Sequence, residues 1–473
     1  MKKYSLIFIC LSLLTACTVG PDFKRPDTRI KPEQVFLHAP EKESFESMGN
    51  WWQRIDDPLF ARYVDQLLKQ NLDLKQAGAR VLQARARLGL QKGSYSPSLR
   101  LNTSSGRNFM PVTSAAGSRQ YATNYTAELE SSWELDLFGR IRNSVSAADA
   151  NFLASVYDQQ ALTQSLITQL LRSRIAIAVN QRLLSLAEQN AKNRKQILDL
   201  VSNRYDLGAA NASLEDVLLA EENYSSVIAD VNEFRRRLTD ETYAFDILLG
   251  EIPGTTKLST IEFPVLPAPL DVAVCLPAHL LDRRPDLRAN ELRLKAANAD
   301  IGVAIADLYP TLNLVASVGV TGETTNNLFS SEQLTGSIIS SLVTRIFEGG
   351  ALRANIKLQK AEAEELAYSY AQNVLTAIRE VESALQAEKE LAGEVESLNR
   401  SVASLKHAEN ISEERYRKGI LSLRDFLNTQ QRRYQIEQNA ITREQQKWNT
   451  RTNLYLALGG DWLSHDTPQD TCP

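Results

Sequence analysis

Methionine, cysteine and histidine are scarce in this chain of 473 residues, at three, four and four positions. With His38, His279, His407 and His465 isolated from Cys and from one another, no metal centre is expected. A Walker loop, a His-Glu-x-x-His helix and a Gly-x-Ser-x-Gly nucleophile turn are all missing, so no catalytic motif stands out. Cationic excess is missing too: 53 Lys and Arg face 57 Asp and Glu, which leaves no footprint for nucleic acid. After the first residues no run approaches the ~20 apolar residues of a spanning helix, so any bilayer crossing must use strands. Proline is absent between Pro111 and Pro253 and again between Pro310 and Pro468, which leaves two tracts free for long helices.

What is present begins with a short basic and apolar leader. Lys2 and Lys3 precede an apolar stretch from Leu6 to Leu14, and Leu14-Thr15-Ala16-Cys17 resembles a bacterial lipobox. Residues 1–16 are then a lipoprotein signal peptide, and Cys17 is expected to carry N-acyl and S-diacylglycerol lipid. Thr18 follows instead of the Asp that holds such lipoproteins in the inner membrane, which points to the outer membrane. Cys10 leaves with the signal. Cys275 and Cys472 remain, and in an oxidising compartment they are candidates for a disulfide whose spacing sequence does not fix.

One unit is written twice. At an offset of 213, Asp73-Leu74 meets Asp286-Leu287, Gly89 meets Gly302 and Pro97 meets Pro310; the same offset brings Tyr157 and Gln159 onto Tyr370 and Gln372. Gly208 meets Gly419 at a slightly smaller shift. The expected organisation is an extended arm at 17–50, a first repeat at 51–250, a Pro-rich connector at 251–280, a second repeat at 281–460 and a tail at 461–473. Each repeat reads as a helix, two strands, a very long helix and a returning helix. Residues 140–207 hold neither Gly nor Pro and would make a rod of about 100 Å; 351–418 has the same character with one Gly, Gly393, and each rod turns at Gly208 or Gly419.

From 121 to 137, Tyr121, Tyr125, Leu129, Trp133 and Leu137 alternate with Glu128, Glu130, Glu134 and Asp136, so one face suits lipid and the other water. Weaker alternation runs through Leu99 and Leu101, Leu312 and Leu314, and Ile338 to Ile346, and the second strand of each half is expected to end at Phe138 or Phe347. The Ser-rich and Gly-rich stretches 105–119 and 321–335 read as solvent-facing loops. Four strands cannot close a membrane barrel, so several chains must share one. Glu128, Glu130, Glu134 and Asp136 would then give an acidic lumen that favours cations.

The mature chain carries an ordered set of short motifs. They include Cys17-Thr18-Val19-Gly20-Pro21-Asp22-Phe23, Asn71-Leu72-Asp73-Leu74, Trp133-Glu134-Leu135-Asp136-Leu137-Phe138-Gly139-Arg140 and Arg284-Pro285-Asp286-Leu287-Arg288. Ile346-Phe347-Glu348-Gly349-Gly350, Arg415-Tyr416-Arg417-Lys418-Gly419 and Leu456-Ala457-Leu458-Gly459-Gly460-Asp461-Trp462 continue the set. Together these resemble the outer-membrane factor family, the TolC-like channels, and in particular its lipoprotein branch. The resemblance implies a mixed fold of α-helix and membrane β-strand: a homotrimer with a twelve-stranded β-barrel in the outer membrane and a long periplasmic α-helical barrel. It also implies a periplasmic adaptor and an inner-membrane pump as partners, passive efflux of drugs or other small toxic molecules, and no catalysis by the channel.

Carried over residue by residue, the resemblance makes Asp216, Tyr416 and Asp425 aperture candidates, with Arg424, Arg417 or Lys418 as the substitute cation. Asn428 stands where relatives often have Asp, and Leu421 where some have Arg, so a constriction less sensitive to salt and pH than buried charge pairs is expected. Gly208 and Gly419 fall where relatives meet the adaptor. The main alternative is a lipid-anchored periplasmic coiled-coil adaptor or structural protein, and a third reading is a lipid-anchored periplasmic enzyme. Adaptors usually carry one hairpin, and two hairpins each introduced by an amphipathic strand pair favour the channel.

Overall fold

The computed structural model describes residues 18–27, 35–38, 52, 55, 57–110, 120–209, 213–256, 277–326 and 328–459. The signal peptide, Cys17, Cys275, Cys472 and His465 lie outside them, as does most of the connector. The first repeat consists of helices α1 (Pro58–Gln70) and α2 (Leu72–Gly93), strands β1 (Ser98–Met110) and β2 (Gln120–Leu135), and helices α3 (Arg140–Asp206) and α4 (Leu214–Leu248). The second repeats that order as α5 (Pro277–Arg283), α6 (Pro285–Ala306), β3 (Thr311–Gly322), β4 (Leu334–Val343), α7 (Ala351–Arg417) and α8 (Leu423–Ala457). The described residues fall into two compact units, one drawn from 1–27, 79–157 and 289–371 and the other from 28–78, 158–288 and 372–473.

Several boundaries differ from the sequence reading. Each repeat opens with two helices instead of one, and α5 starts inside the stretch assigned to the connector. Asn71 is the break in the first repeat: its Oδ1 accepts from Leu74 N at 3.0 Å and starts a new helix, while its Nδ2 donates to Leu248 O at 2.8 Å. In the second repeat Pro285 removes the N–H that would continue α5, and the preceding Arg284 donates to Ala457 O at 3.3 Å. Both breaks therefore tie the opening helices to the last turn of the returning helix. The long helices, 67 residues each, start at Arg140 and Ala351 and end at Asp206 and Arg417, an offset of 211. The match of Tyr157 to Tyr370 at 213 is thus two positions out of structural step.

In the first unit the four strands form one antiparallel sheet in the order β1-β2-β3-β4. The arm at 18–27 is fixed there: Val19 N donates to Phe138 O, Asn143 Nδ2 donates to Val19 O at 3.0 Å, and Asn298 Nδ2 donates to Pro21 O at 2.7 Å. Arg25 completes it with a fork onto Glu291 at 2.9 and 2.8 Å, so the arm is bound to α3 from one repeat and α6 from the other.

The second unit holds the helical core. Phe60, Val64 and Leu67 line one face of α1 and are fully buried, with Leu170, Ile175 and Ile177 of α3 and Phe245 of α4. Asp57 caps α1, accepting from Leu59 N and Phe60 N, and its other oxygen takes Arg174 Nε at 2.5 Å. Arg174 also lies over Tyr63, whose ring meets Phe245 edge-on at 5.0 Å. Farther along α3, Arg194 is 1% exposed and bonds Asn223 of α4 and Gln431 of α8, which pins three helices with one side chain. Burial lowers its pKa from the ordinary guanidinium value.

Asp57→Ala is expected to destabilise the chain by roughly 3–5 kcal/mol, because a buried guanidinium loses its carboxylate and a helix its cap. Pairing Asp57→Asn with Arg174→Met should recover most of that loss. Chemical denaturation of both variants measures the difference.

Candidate functional site

The sheet sorts its side chains into two faces. Directly opposed residues share a face, and the register places Leu101 beside Leu129, Leu129 beside Val318, and Ala316 beside Ile338. With Leu99, Trp133, Leu135, Leu312 and Leu314 these give one apolar face across all four strands. The other face pairs Asn102 with Glu128, Glu130 with Ser317, Glu134 with Asn313 and Ser317 with Ser337. From Leu135 to Tyr125 the apolar face spans about 25 Å of depth at a strand tilt near 40°. Trp133 sits near its lower edge, its Nε1 donating to Tyr95 O at 3.0 Å, and Arg107 lies 4.6 Å over the Tyr121 ring near its upper end.

The acidic set separates. Glu128 and Glu130 remain on the polar face, but Arg100 stands directly opposite Glu130. Glu134 accepts a fork from Arg140 at 2.9 and 2.6 Å, a hydrogen bond that raises the Arg140 pKa against burial. Asp136 is not in the strand, which ends at Leu135; it caps α3, accepting from Ile141 N and Arg142 N at 3.2 and 2.9 Å. Glu128 is therefore the acidic position of the face with no cation directly across from it. Phe138 and Phe347 also lie past the strand ends, Phe138 stacked on Tyr309 at 4.7 Å and Phe347 largely exposed. Conversely, β1 continues through Ser105 to Met110, and residues 321–322 and 334–335 are paired, where the sequence suggested loops. Ladder bonds to a neighbouring strand hold such polar segments irrespective of their low β-propensity.

The hairpin tips belong to the second unit. Gly208 and Gly419 each end a long helix at φ +64° and +72°, and both close Schellman turns: Ala209 N donates to Arg204 O, Ile420 N to Arg415 O. Ser213 and Ser422 then cap the returning helices, each hydroxyl accepting from the N–H of Asp216 or Asp425 at 3.1 Å. Asp425 thus serves a cap, and Ser422 Oγ donates back to its Oδ2 at 2.7 Å.

Between the tips Val201, Leu423, Phe426 and Leu427 form a buried cluster, with Ile197, Val217, Tyr416 and Leu421 against it. Tyr416 stacks on Phe426 at 5.4 Å and carries the Arg204 guanidinium over its ring at 5.8 Å. Burial raises the Tyr416 pKa, and the nearby Asp216 adds to that shift. Arg424 Nη2 bonds Glu215 at 2.6 Å, joining the two hairpins of one chain through an exposed ion pair. Sequence reasoning did not name Glu215; its place two residues beyond the Ser213 cap was the available signal. Asn428 is exposed, and the structure places it outside the apolar cluster. Among the described residues no three His, Cys, Asp or Glu side chains gather as a metal would require.

The family model described as outer membrane efflux protein matches residues 63–251 and 276–460. The chain belongs to the outer membrane efflux protein family. The matched segments are the two repeats. Outer membrane protein OprJ of Pseudomonas aeruginosa is 29% identical over 469 residues, covering 97% of this chain and 95% of that protein. Toluene efflux pump outer membrane protein TtgI of Pseudomonas putida is 28% identical over 473 residues, covering 98% and 99%. The solved outer-membrane channel OprN aligns with a TM-score of 0.83 at 30% identity, over 94% of this chain and 100% of that one. The expected family, its mixed helical and membrane-strand fold, the outer-membrane location and the role of efflux channel all stand on these matches. The relatives are channel proteins and not enzymes, and the adaptor reading finds no support among them.

Phe426→Ala should cost about 3–5 kcal/mol in the packing of the tips. Arg424→Ala should cost no more than about 1 kcal/mol, since its ion pair is solvated. Hydrogen exchange of residues 197–204 and 416–427 reads both: strong loss of protection in the first variant, little in the second.

Proposed function

We propose that this efflux channel works as a lipid-anchored homotrimer, a passive duct whose walls are three copies of the four-stranded sheet and whose periplasmic end meets an adaptor fed by an inner-membrane pump. The observation that carries the reading is the two-faced sheet, apolar on one side and mainly polar on the other, where Val315, Ile339 and Val343 are the aliphatic positions, with both β1 and β4 open at its edges. Such a sheet satisfies its backbone in lipid only by closing with other copies. Acylation of Cys17 is part of the same proposal, and it is supported by the arm at 18–27, which is bound to the unit holding the sheet. The tips at Gly208 and Gly419, with the exposed Leu207 and Ile420 beside them, offer the adaptor close backbone approach and apolar contact. TtgI belongs to a toluene efflux pump, and small apolar toxicants of that kind are a reasonable cargo class to test here.

The duct itself does no chemistry in this reading. Its selectivity is electrostatic and rests on the polar face, where Glu128 is left without a directly opposed cation while Glu130 and Glu134 face Arg100 and Arg140. Glu128→Gln is expected to reduce cation preference in the reversal potential across a KCl gradient clearly more than Glu134→Gln; equal effects would remove Glu128 from this role. Intact-mass analysis of the mature protein tests the anchor: residues 1–16 gone and acyl mass on Cys17, both lost in Cys17→Ala. An unmodified Cys17 in protein from outer membranes would sink that part.

A further inference from the structure

The two repeats are related by a register that can be applied again. Shifting β1 by 213 positions and β2 by 211 converts the pair Ser98 and Ser132 into Thr311 and Val343, Leu101 and Leu129 into Leu314 and Ser340, and Ser104 and Thr126 into Ser317 and Ser337. All three converted pairs occur in the sheet, and 211 is also the offset of the two long helices. The seam between repeats is the pairing of β2 with β3. Carrying that seam through the same shifts gives a partner for each position of β4 on a second β1, with no free parameter.

We propose that β4 continues past Val343 to Ile346 and pairs antiparallel with β1 of a second copy, in the register that sets Ile346 opposite Leu99 of the partner subunit and Ser340 opposite the partner subunit's Ser105. The inference rests on the shared-barrel reading and adds to it the register and the length of the closing strand. The pairs Leu135 with Leu312, Trp133 with Leu314 and Leu129 with Val318 are its templates. They convert to Ile346 with Leu99, Thr344 with Leu101 and Ser340 with Ser105.

Three observations agree with it. Ile346 is 94% exposed in the single chain although it equates with Leu135, a paired residue, and the seam would cover it. Leu99 and Leu101 are also exposed on the apolar face, at 67% and 69%, beside the open edge of β1. The converted register keeps faces in step: Ile346, Leu342 and Ile338 fall on the apolar side of the partner, and Ser341 and Val343 fall opposite Ser104 and Asn102 of the partner subunit on the polar side. A slip of one residue would turn every side chain of β4 to the wrong medium. The register also brings Arg345 opposite Arg100 of the partner subunit; Arg345 pairs with Glu348 at 3.6 Å, and Arg100 lies across the ladder from Glu130.

Slips of two residues preserve the faces, so the test must separate them. In full-length protein with Cys275 and Cys472 changed to Ser, Ser340→Cys is combined with Ser105→Cys, and in parallel with Thr103→Cys or Arg107→Cys. Within one chain β1 and β4 are the two edges of the sheet, too far apart for a disulfide, so any bond links subunits. After oxidation in outer membranes, the Ser340 and Ser105 pair should convert monomer to covalent trimer on a denaturing gel, with the two slipped pairs left as monomer. Native mass of the unmodified parent separates the two levels. A trimeric parent that cross-links at a slipped pair, or at none of the three, overturns the register and leaves the trimer standing; a monomeric parent overturns both.

Discussion

A backbone amide in hydrocarbon has no water to bond, and this constraint shapes the rest of the molecule. The sheet meets it internally through three antiparallel ladders and leaves it unmet along β1 and β4. No helix among the described residues is long and apolar enough to cross a membrane, so the strands are the elements with which this family member reaches into one. Two-faced alternation follows from the same demand, since a wall one strand thick has lipid on one side and water on the other. The acidic positions are tempered accordingly: Arg100 and Arg140 face Glu130 and Glu134, and Asp136 caps a helix instead of lining the wall.

Duplication gives the helical unit its economy of design. In both repeats the residue between the opening helices reaches the carbonyl at the end of the returning helix, Asn71 to Leu248 and Arg284 to Ala457. In both, a glycine after that helix packs against the end of the first: a Cβ on Gly250 would lie 2.7 Å from Gln70 O, and one on Gly459 would lie 3.1 Å from Arg283 O. The same joint is thus built from an amide in one repeat and a guanidinium in the other. Arg284 also takes Asp286 and Glu380, which supply the countercharge that Asn71 does not need. At the tips the two hairpins of one chain share an apolar cluster, and the Arg424 and Glu215 pair is a solvated addition to it, open to screening by salt.

Much of this was legible in the sequence because it depends on local chemistry. A tract free of Gly and Pro fixed α3, a Pro-free tract with the single Gly393 fixed α7, each to within a residue, and Gly208 and Gly419 marked the turns. The helix break at Asn71 was hidden, because Asn is tolerated inside helices and the break depends on a distant carbonyl. Strand ends were misplaced for a related reason: Ser105 to Met110 pair because β2 lies alongside, and Leu137 does not because the chain turns into α3. Arg174 and Arg194 carry no mark in the sequence that separates them from the other cations of α3. Only the packed structure shows them buried, since burial of charge is decided by which helices surround it.

The central claim is that copies of this chain close into a conducting duct. Single-channel current from the purified full-length protein in a planar bilayer tests it most directly. Steady current that scales with voltage and salt is the predicted result; protein that inserts in the bilayer as a trimer yet passes no ions, with its tips intact or with Phe426→Ala loosening them, would contradict the account.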